Sequence, residues 1–520
     1  MADPETFVDR RALSDKDFAA AEASIENRLG WLEAPDRMRS EAGPVEAFAR
    51  DLAADGLTDI YLLGMGGSSL CAEVVRDVLG TGPSRLTVLD TTDEATIARV
   101  TRDLVPARAF FIVASKSGGT IEVTSLEAHF WSVMTGAVGA PGRHFCAITD
   151  DGTALVTHAA TRGYRETFIN PSDIGGRFSA LSLFGLVPAC LAGVAPGTLL
   201  TPAVHMASQF RENSADNPGL ALGVFVGSHA AAGRDKMTLL TSAPLAPFGV
   251  WVEQLVAEST GKRGFGALPV VDEPIGPVAE YGHDRAFVVM MTKDDLDLAR
   301  QADALETAGH PVFRIATEPS RLGAEFFRWE FATAVAGAVL RVNPFDEPDV
   351  RKAKVFTKEQ LDAHEATGHF KVEPAFTAEA NRGVRRIGSG WTPAKGYIAI
   401  LDFLPVDTSR AEVVARVRAA IRRRLGVATT YGYGPRYLHS TGQYHKGGPN
   451  TGRFLILTSL DENPTPVPGQ PYSFSVLKCA QGFGDFEALK EQNRNVIHCH
   501  FERPPADIAA AIEAIVDELL

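Results

Sequence analysis

A chain of 520 residues with a formal net charge of −13 and a sequence pI near 5.5 is long enough for about three domains with sizeable cores. The acidic balance argues against a general nucleic-acid or anionic-membrane surface, so an anionic ligand would need a locally positive pocket. Five scattered cysteines without a CxxC pair favour a reducing cytoplasm, no long apolar run predicts a membrane span, and the acidic start MADPETFVDRRALSDKDFAAA lacks the apolar core of a signal peptide.

From Ser14, a candidate N-cap, apolar residues recur at helical spacing up to Leu52 and predict helix across 14–54. The first strand, Asp59–Leu63, runs through Gly64-Met65-Gly66-Gly67-Ser68-Ser69 into the helical LCAEVVRDVL. Such a turn also fits a Rossmann dinucleotide site, and Asp90, at the end of the strand LTVLD, stands where the ribose-binding acid of that site would be. Phe110–Thr120, FFIVASKSGGT, is more specific. Its apolar strand predicts burial on both faces of a parallel sheet, and Ser115, Lys116, Ser117, Gly118, Gly119 and Thr120 then gather hydroxyls, an ammonium and pliant backbone at a helix start. A phosphate fits that arrangement, and so does an ordinary capped turn. With LTVLD, FFIVAS and HFCAIT alternating with helices, the fold class reads as α/β with a doubly wound parallel sheet.

Asp173-Ile174-Gly175-Gly176-Arg177-Phe178-Ser179 opens an apolar helix expected to run to Leu191, with Arg177 beside two glycines where a guanidinium could reach an oxyanion. A second layer follows in MTLLTS, FVVMMT and HPVFRIAT. Between the first two, the helix from Phe248 to Gly261 puts Gln254 and Glu258 on one face. A carboxylate at its C-terminal end meets the unfavourable pole of the dipole, which raises its pKa and suits a base. Asn343-Pro344-Phe345-Asp346-Glu347-Pro348 is a turn before a further helix, with Lys354 on its second turn. Composition places a linker around 366–392. GYIAILDFL, the basic amphipathic helix AEVVARVRAAIRRRLG, FLILTS, YSFSVLKCA and DIAAAIEAIVDELL then suggest a smaller third α/β domain. Its polar, glycine-rich segment 431–450 carries His439 and His445 and either lines a site or clamps neighbouring domains. In His498-Cys499-His500 strand alternation puts the histidines on one face without Cys499, so no metal site is expected.

Five segments in order, GMGGSS, SKSGGT, GGRFS, QLVAESTGK and NPFDEPDVRKAK, resemble the phosphoglucose isomerase family, which is built from two sugar-isomerase (SIS) subdomains. The resemblance covers roughly residues 45–365. It implies an N-terminal helical arm (1–44), a first SIS subdomain with the phosphate cradle (45–205), a second with the catalytic glutamate and lysine (206–365), the linker, and an extension (393–520). The extension looks like that of isomerases fused to transaldolase in some bacteria, though no segment resembles a transaldolase. Implied as catalytic are Glu258, Lys354, Arg177 and, for ring opening, His283, with His310 as second choice and a histidine of the C-terminal extension left open. Implied as substrate-binding are Gly67, Ser68, Ser115, Lys116, Ser117, Thr120, Gly176, Gln254 and Glu347, the last standing where the family usually has Gln. The implied activity is interconversion of glucose 6-phosphate and fructose 6-phosphate through a cis-enediol, with neither metal nor nucleotide cofactor. The implied partner is a small sugar phosphate, not nucleic acid or membrane; a homodimer, an association with transaldolase and a wider phosphosugar range including mannose 6-phosphate stay open. The extension is expected to support the body rather than move the proton. Two rivals remain, a non-catalytic SIS-type sugar-phosphate binding or regulatory protein and a nucleotide-dependent dehydrogenase.

Overall fold

Three parallel sheets organise the chain, which the computed structural model describes over residues 3–10, 14–211, 217–371, 376–377, 396–406, 410–505 and 507–519. Most of the linker expected at 366–392 lies outside these residues. The first sheet has the order β2-β1-β3-β4-β5, from β1 (Asp59–Gly64), β2 (Arg85–Leu89), β3 (Ala109–Ala114), β4 (Phe145–Asp150) and β5 (Glu166–Asn170). The second is β7-β6-β8-β9, from β6 (Lys236–Thr241), β7 (Leu268–Val270), β8 (Arg285–Met291) and β9 (Val312–Ala316). A third follows in the order β10-β14-β13-β11-β12, from β10 (Phe376–Thr377), β11 (Tyr397–Phe403), β12 (Ala428–Tyr433), β13 (Gly452–Ser459) and β14 (Asn495–Phe501). The fold class is therefore α/β, with two SIS-type αβα layers and a smaller C-terminal α/β unit.

Alternation along the buried strands explains the layering. Ile60, Leu62, Phe110 and Ile112 face one core, where helices Leu70–Leu79 and Leu183–Leu191 pack. Tyr61, Leu63, Phe111 and Val113 face another, covered by helix Ile121–Thr135 and by Val467 and Phe474 of the C-terminal unit. In register, Gly64 of β1 pairs with Ala114 of β3, so the two glycine-rich turns leave the sheet side by side.

Some expected elements change. The helix expected over 14–54 is broken into Asp15–Glu26, Ala34–Arg37 and Ala42–Ala54, although Ser14 does cap the first piece. Between them the Gly30 amide donates to the Asp173 carbonyl, and Trp31 is buried against Phe178 and Phe327, so tertiary docking overrides the helical pattern. The helix expected to open at the segment 173–179 starts only at Leu183, capped by Ser182; Gly176–Phe178 is a single 3-10 turn. Residues 431–450 are largely buried structure rather than loop: the end of β12, a turn at Arg436–His439 and the helix Gly442–Gly447. YSFSVLKCA leads into the helix Phe474–Glu491. On the basic helix Arg410–Leu425 the key arginines are not solvated. Arg418 Nη2 donates to the carbonyls of Val271 and Thr429 at 2.8 Å each, and Arg422 Nε to Glu280 at 3.1 Å, which fastens the third sheet to the second.

His498 and His500 do share a face, and both rings meet the Thr458 hydroxyl at 2.8 Å. Burial pushes His498 down to about 3 and His500 to about 4. In the unfolded chain each would take up a proton near 6.5, so the unfolded state binds more protons below that pH and stability is lost as pH falls from about 6.5 towards 4, by up to about 1.4 kcal/mol per histidine per pH unit. Denaturant melts at pH 7.5 and 5 should show this decrement, reduced in a His498→Gln, His500→Gln double variant; an undiminished decrement would assign the acid sensitivity elsewhere.

Candidate active site

The turn Gly66–Ser68 after β1 and the turn Gly176–Phe178 touch through backbone. A Cβ at Gly67 would fall 2.0 Å from the Gly176 carbonyl oxygen, so only glycine permits the approach. Ser68 is buried in the first turn, and Gly176 has open space on its own Cβ side. This contact delivers Arg177, itself buried, to the second layer. Its Nε donates to Ser259 Oγ at 2.9 Å, Nη1 to Glu347 Oε2 at 3.2 Å, and Nη2 to the carbonyls of Pro344 and Asp346 at 2.8 and 2.7 Å. Glu258 lies 3.5 Å from the same guanidinium. Burial raises the Glu258 carboxyl above its ordinary value, with Arg177 pulling the other way. For Glu347, burial is outweighed by Arg177 and Lys262, which hold it below its ordinary value. The extra negative charge at the usual Gln position is thus matched by a cation in contact.

Gln254, one helical turn before Glu258, donates through Nε2 to Glu258 Oε2 at 3.2 Å and to the His439 carbonyl at 2.7 Å. His439 in turn places Nε2 2.9 Å from Glu122 Oε1, an ionised carboxylate: burial pushes its pKa up, but His439 and then Lys354 hold it down overall. Thr120, Glu122, Lys354 and His439 line one cavity of about 580 Å³ with Gly119 and Lys446. Glu347 opens instead on a second cavity of about 600 Å³, beside Lys262 and Asp346.

Within the cradle, Ser115 and Thr120 hydroxyls are 3.0 Å apart and Ser117 is exposed. Gly118 takes φ +69° where a Cβ would press on Thr153. Lys116 is turned to Asp150 and to the Ser172 carbonyl rather than left free, and burial lowers its pKa. The structure therefore brings together Glu258, Arg177, Gln254, Glu347, Gly67, Ser68 and Gly176, and, through Gln254 and His439, the cavity of Thr120 and Lys354. His283 is not brought into this group. It is exposed just before β8, and the group its charge acts on is His310, whose ring packs on Tyr281 and Phe287. His445 is a core residue, its Nδ1 3.0 Å from the Tyr397 hydroxyl. Sequence reading missed Glu122 and left a histidine of the C-terminal extension, His439 among them, only as an open alternative for ring opening. The available signals were an acid in the first helical turn after the cradle and a histidine in an otherwise glycine- and tyrosine-rich segment.

Asp90 is engaged as well: Ser69 Oγ donates to it at 3.4 Å, and Arg436 of the C-terminal unit pairs with it at 3.3 Å. A dinucleotide ribose would have to displace that guanidinium.

Over part of its length the sequence is similar to phosphoglucose isomerases. Residues 33–282 match the family described as phosphoglucose isomerase. The chain is 28% identical over 394 residues to a glucose-6-phosphate isomerase of Rubrobacter xylanophilus, covering 65% of this chain and 90% of that one. It is 32% identical over 234 residues to the glucose-6-phosphate isomerase of a Nostoc species, covering 42% and 44%. Among solved structures, a hypothetical protein from Thermus thermophilus superposes with a TM-score of 0.60 at 24% identity, covering 66% of this chain and 93% of that one. A glucose-6-phosphate isomerase from Chlamydia trachomatis gives a TM-score of 0.53 at 20% identity, covering 74% and 80%; these two show likeness of fold.

Gly67→Ala tests the backbone contact. The added methyl forces the two turns apart, so stability should fall by about 1–3 kcal/mol and kcat/KM by at least about tenfold. A variant with wild-type melting and kinetics would mean that the Gly67–Gly176 approach does not position Arg177.

Proposed function

We propose that the protein interconverts glucose 6-phosphate and fructose 6-phosphate through a cis-enediol. The observation that carries this reading is the part-buried Glu258, held 3.5 Å from Arg177 and joined through Gln254 to His439 at the cavity of the cradle. A base, an oxyanion partner and a second acid–base group are what a proton shift next to a carbonyl requires.

In this reading the helix start after β3, with Ser115, Ser117 and Thr120, takes the phosphate. Lys116, tied to Asp150, supports the loop. His439, with Nε2 donating to Glu122, would use Nδ1 at the ring: the O1 proton is taken and O5 is protonated as the C1–O5 bond breaks. Glu258 then removes the C2 proton and returns it to C1, the O2 proton passing to O1 in the enediol, while Arg177 stabilises the charge on the enediolate oxygens. Lys354, beside Glu122 and His439, adds positive charge at the same cavity. His439 thus takes the role expected of His283, and the C-terminal unit supplies part of the chemistry. Mannose 6-phosphate differs only at C2 and enters the same enediol, so it is an additional candidate substrate. A purely binding SIS protein would need the cradle and has no use for a part-buried carboxylate beside Arg177.

Glu258→Gln keeps the shape but cannot accept the proton. Substrate should bind with kcat down about 10²–10⁴-fold, and deuterium from D₂O should no longer enter C2 of recovered glucose 6-phosphate. Exchange at the wild-type rate would assign the base to another residue.

Ser115→Ala with Thr120→Ala should act mainly on KM, each lost charge-assisted hydrogen bond being worth roughly 1.5–3 kcal/mol. An unchanged KM in steady-state assays would move the phosphate to the Gly66–Ser68 turn.

A further inference from the structure

Resting on that reading, we propose that Gln481, from the helix Phe474–Glu491 of the C-terminal unit, is a positioning residue that holds the Glu122 carboxylate in place for His439, so that this helix governs ring opening. Glu122 Oε1 accepts from two donors, His439 Nε2 at 2.9 Å and Gln481 Nε2 at 2.6 Å. The amide cannot turn over freely, because Thr92 Oγ1 donates to Gln481 Oε1 at 3.0 Å and so leaves the NH₂ end facing Glu122. All three side chains, Thr92, Glu122 and Gln481, are buried, so a lost bond leaves a desolvated polar group behind. One helical turn earlier the same helix is anchored by Lys478, fully buried between Asp93 at 3.3 Å and Asp461 at 2.8 Å. The amide is therefore a fixed donor on a fixed helix.

Its chemistry suits the task. A neutral amide steadies the carboxylate without cancelling the charge that keeps His439 Nε2 protonated, whereas a lysine there would compete with the imidazole for it. With Nε2 committed, Nδ1 is the ring nitrogen that makes no hydrogen bond among the described residues and is left for O1 and O5. Gln481 stands at the wall of the cavity with its amide committed to Glu122 and Thr92, so its loss should alter ring opening and leave the phosphate cradle alone.

Anomer interconversion of glucose 6-phosphate separates the two halves of the reaction, since it needs ring opening but no C2 proton transfer. Gln481→Leu should slow enzyme-catalysed anomer exchange and isomerisation together by about tenfold to a hundredfold, with KM within about threefold, whereas Glu258→Gln should keep anomer exchange. Gln481→Glu is the near-isosteric second variant. Its carboxylate must share one proton with Glu122, and as pH rises that proton is lost and the two repel, so the basic limb of kcat/KM should move to lower pH. Unaltered anomer exchange in Gln481→Leu, or a wild-type pH profile in Gln481→Glu, overturns this proposal alone. Wild-type protein that exchanges neither anomers nor isomers overturns the functional reading and this proposal with it.

Discussion

A buried arginine must have its donors satisfied, and at Arg177 that requirement fixes the relation of the two SIS layers. Its guanidinium is taken by Ser259 and Glu347 side chains and by two carbonyls of the turn 344–346, with Glu258 alongside. Removing any of these partners would leave a desolvated cation only partly compensated, which is far more costly than losing an exposed ion pair. The turn after β5, the end of helix Phe248–Thr260 and the turn before helix Val350–Thr367 are thereby held to one geometry.

The same cation settles the electrostatics. Two carboxylates, Glu258 and Glu347, approach Arg177, and their pKa values are pushed apart: burial lifts Glu258, while Arg177 and Lys262 hold Glu347 down. Lys262, itself lowered to about 8 by burial, pairs with Asp346 at 2.9 Å and donates to the Asn343 carbonyl. Glu347 is thus the fixed counter-charge and Glu258 the more readily protonated of the two carboxylates.

Local chemistry made much of this legible in the sequence. Glycine-rich turns at strand ends, the i, i+4 spacing of Gln254 and Glu258 and the stop at Gly261 are written in a few adjacent residues, and helix Phe248–Thr260 follows them closely. What was hidden depends on contacts between residues far apart in the chain. The break after Glu26 follows from Trp31 docking on Phe178, and the late start of the helix at Leu183 follows from Gly176 meeting Gly67. His439 lies more than three hundred residues from Glu122, in a segment whose glycines and prolines suggest a loop, so no periodicity could connect them. The opposite holds for His283, where motif spacing pointed to a residue that tertiary structure leaves beside His310.

The seam between the C-terminal unit and the first layer is built from charges that neither side could bury alone. Lys478 faces Asp93, Arg436 faces Glu73 at 2.7 Å and Asp90, and Gln481 and His439 converge on Glu122. Against an apolar seam of equal size such contacts add little net stability, because desolvation offsets much of the attraction. They do penalise any shifted docking, since a displacement of one residue would leave several buried carboxylates unpaired. Apolar contacts at Val467 and Phe474 can therefore supply adhesion while the polar contacts set the register. An imidazole delivered from a separate unit needs that register, because its hydrogen bond to Glu122 tolerates only a fraction of an ångström.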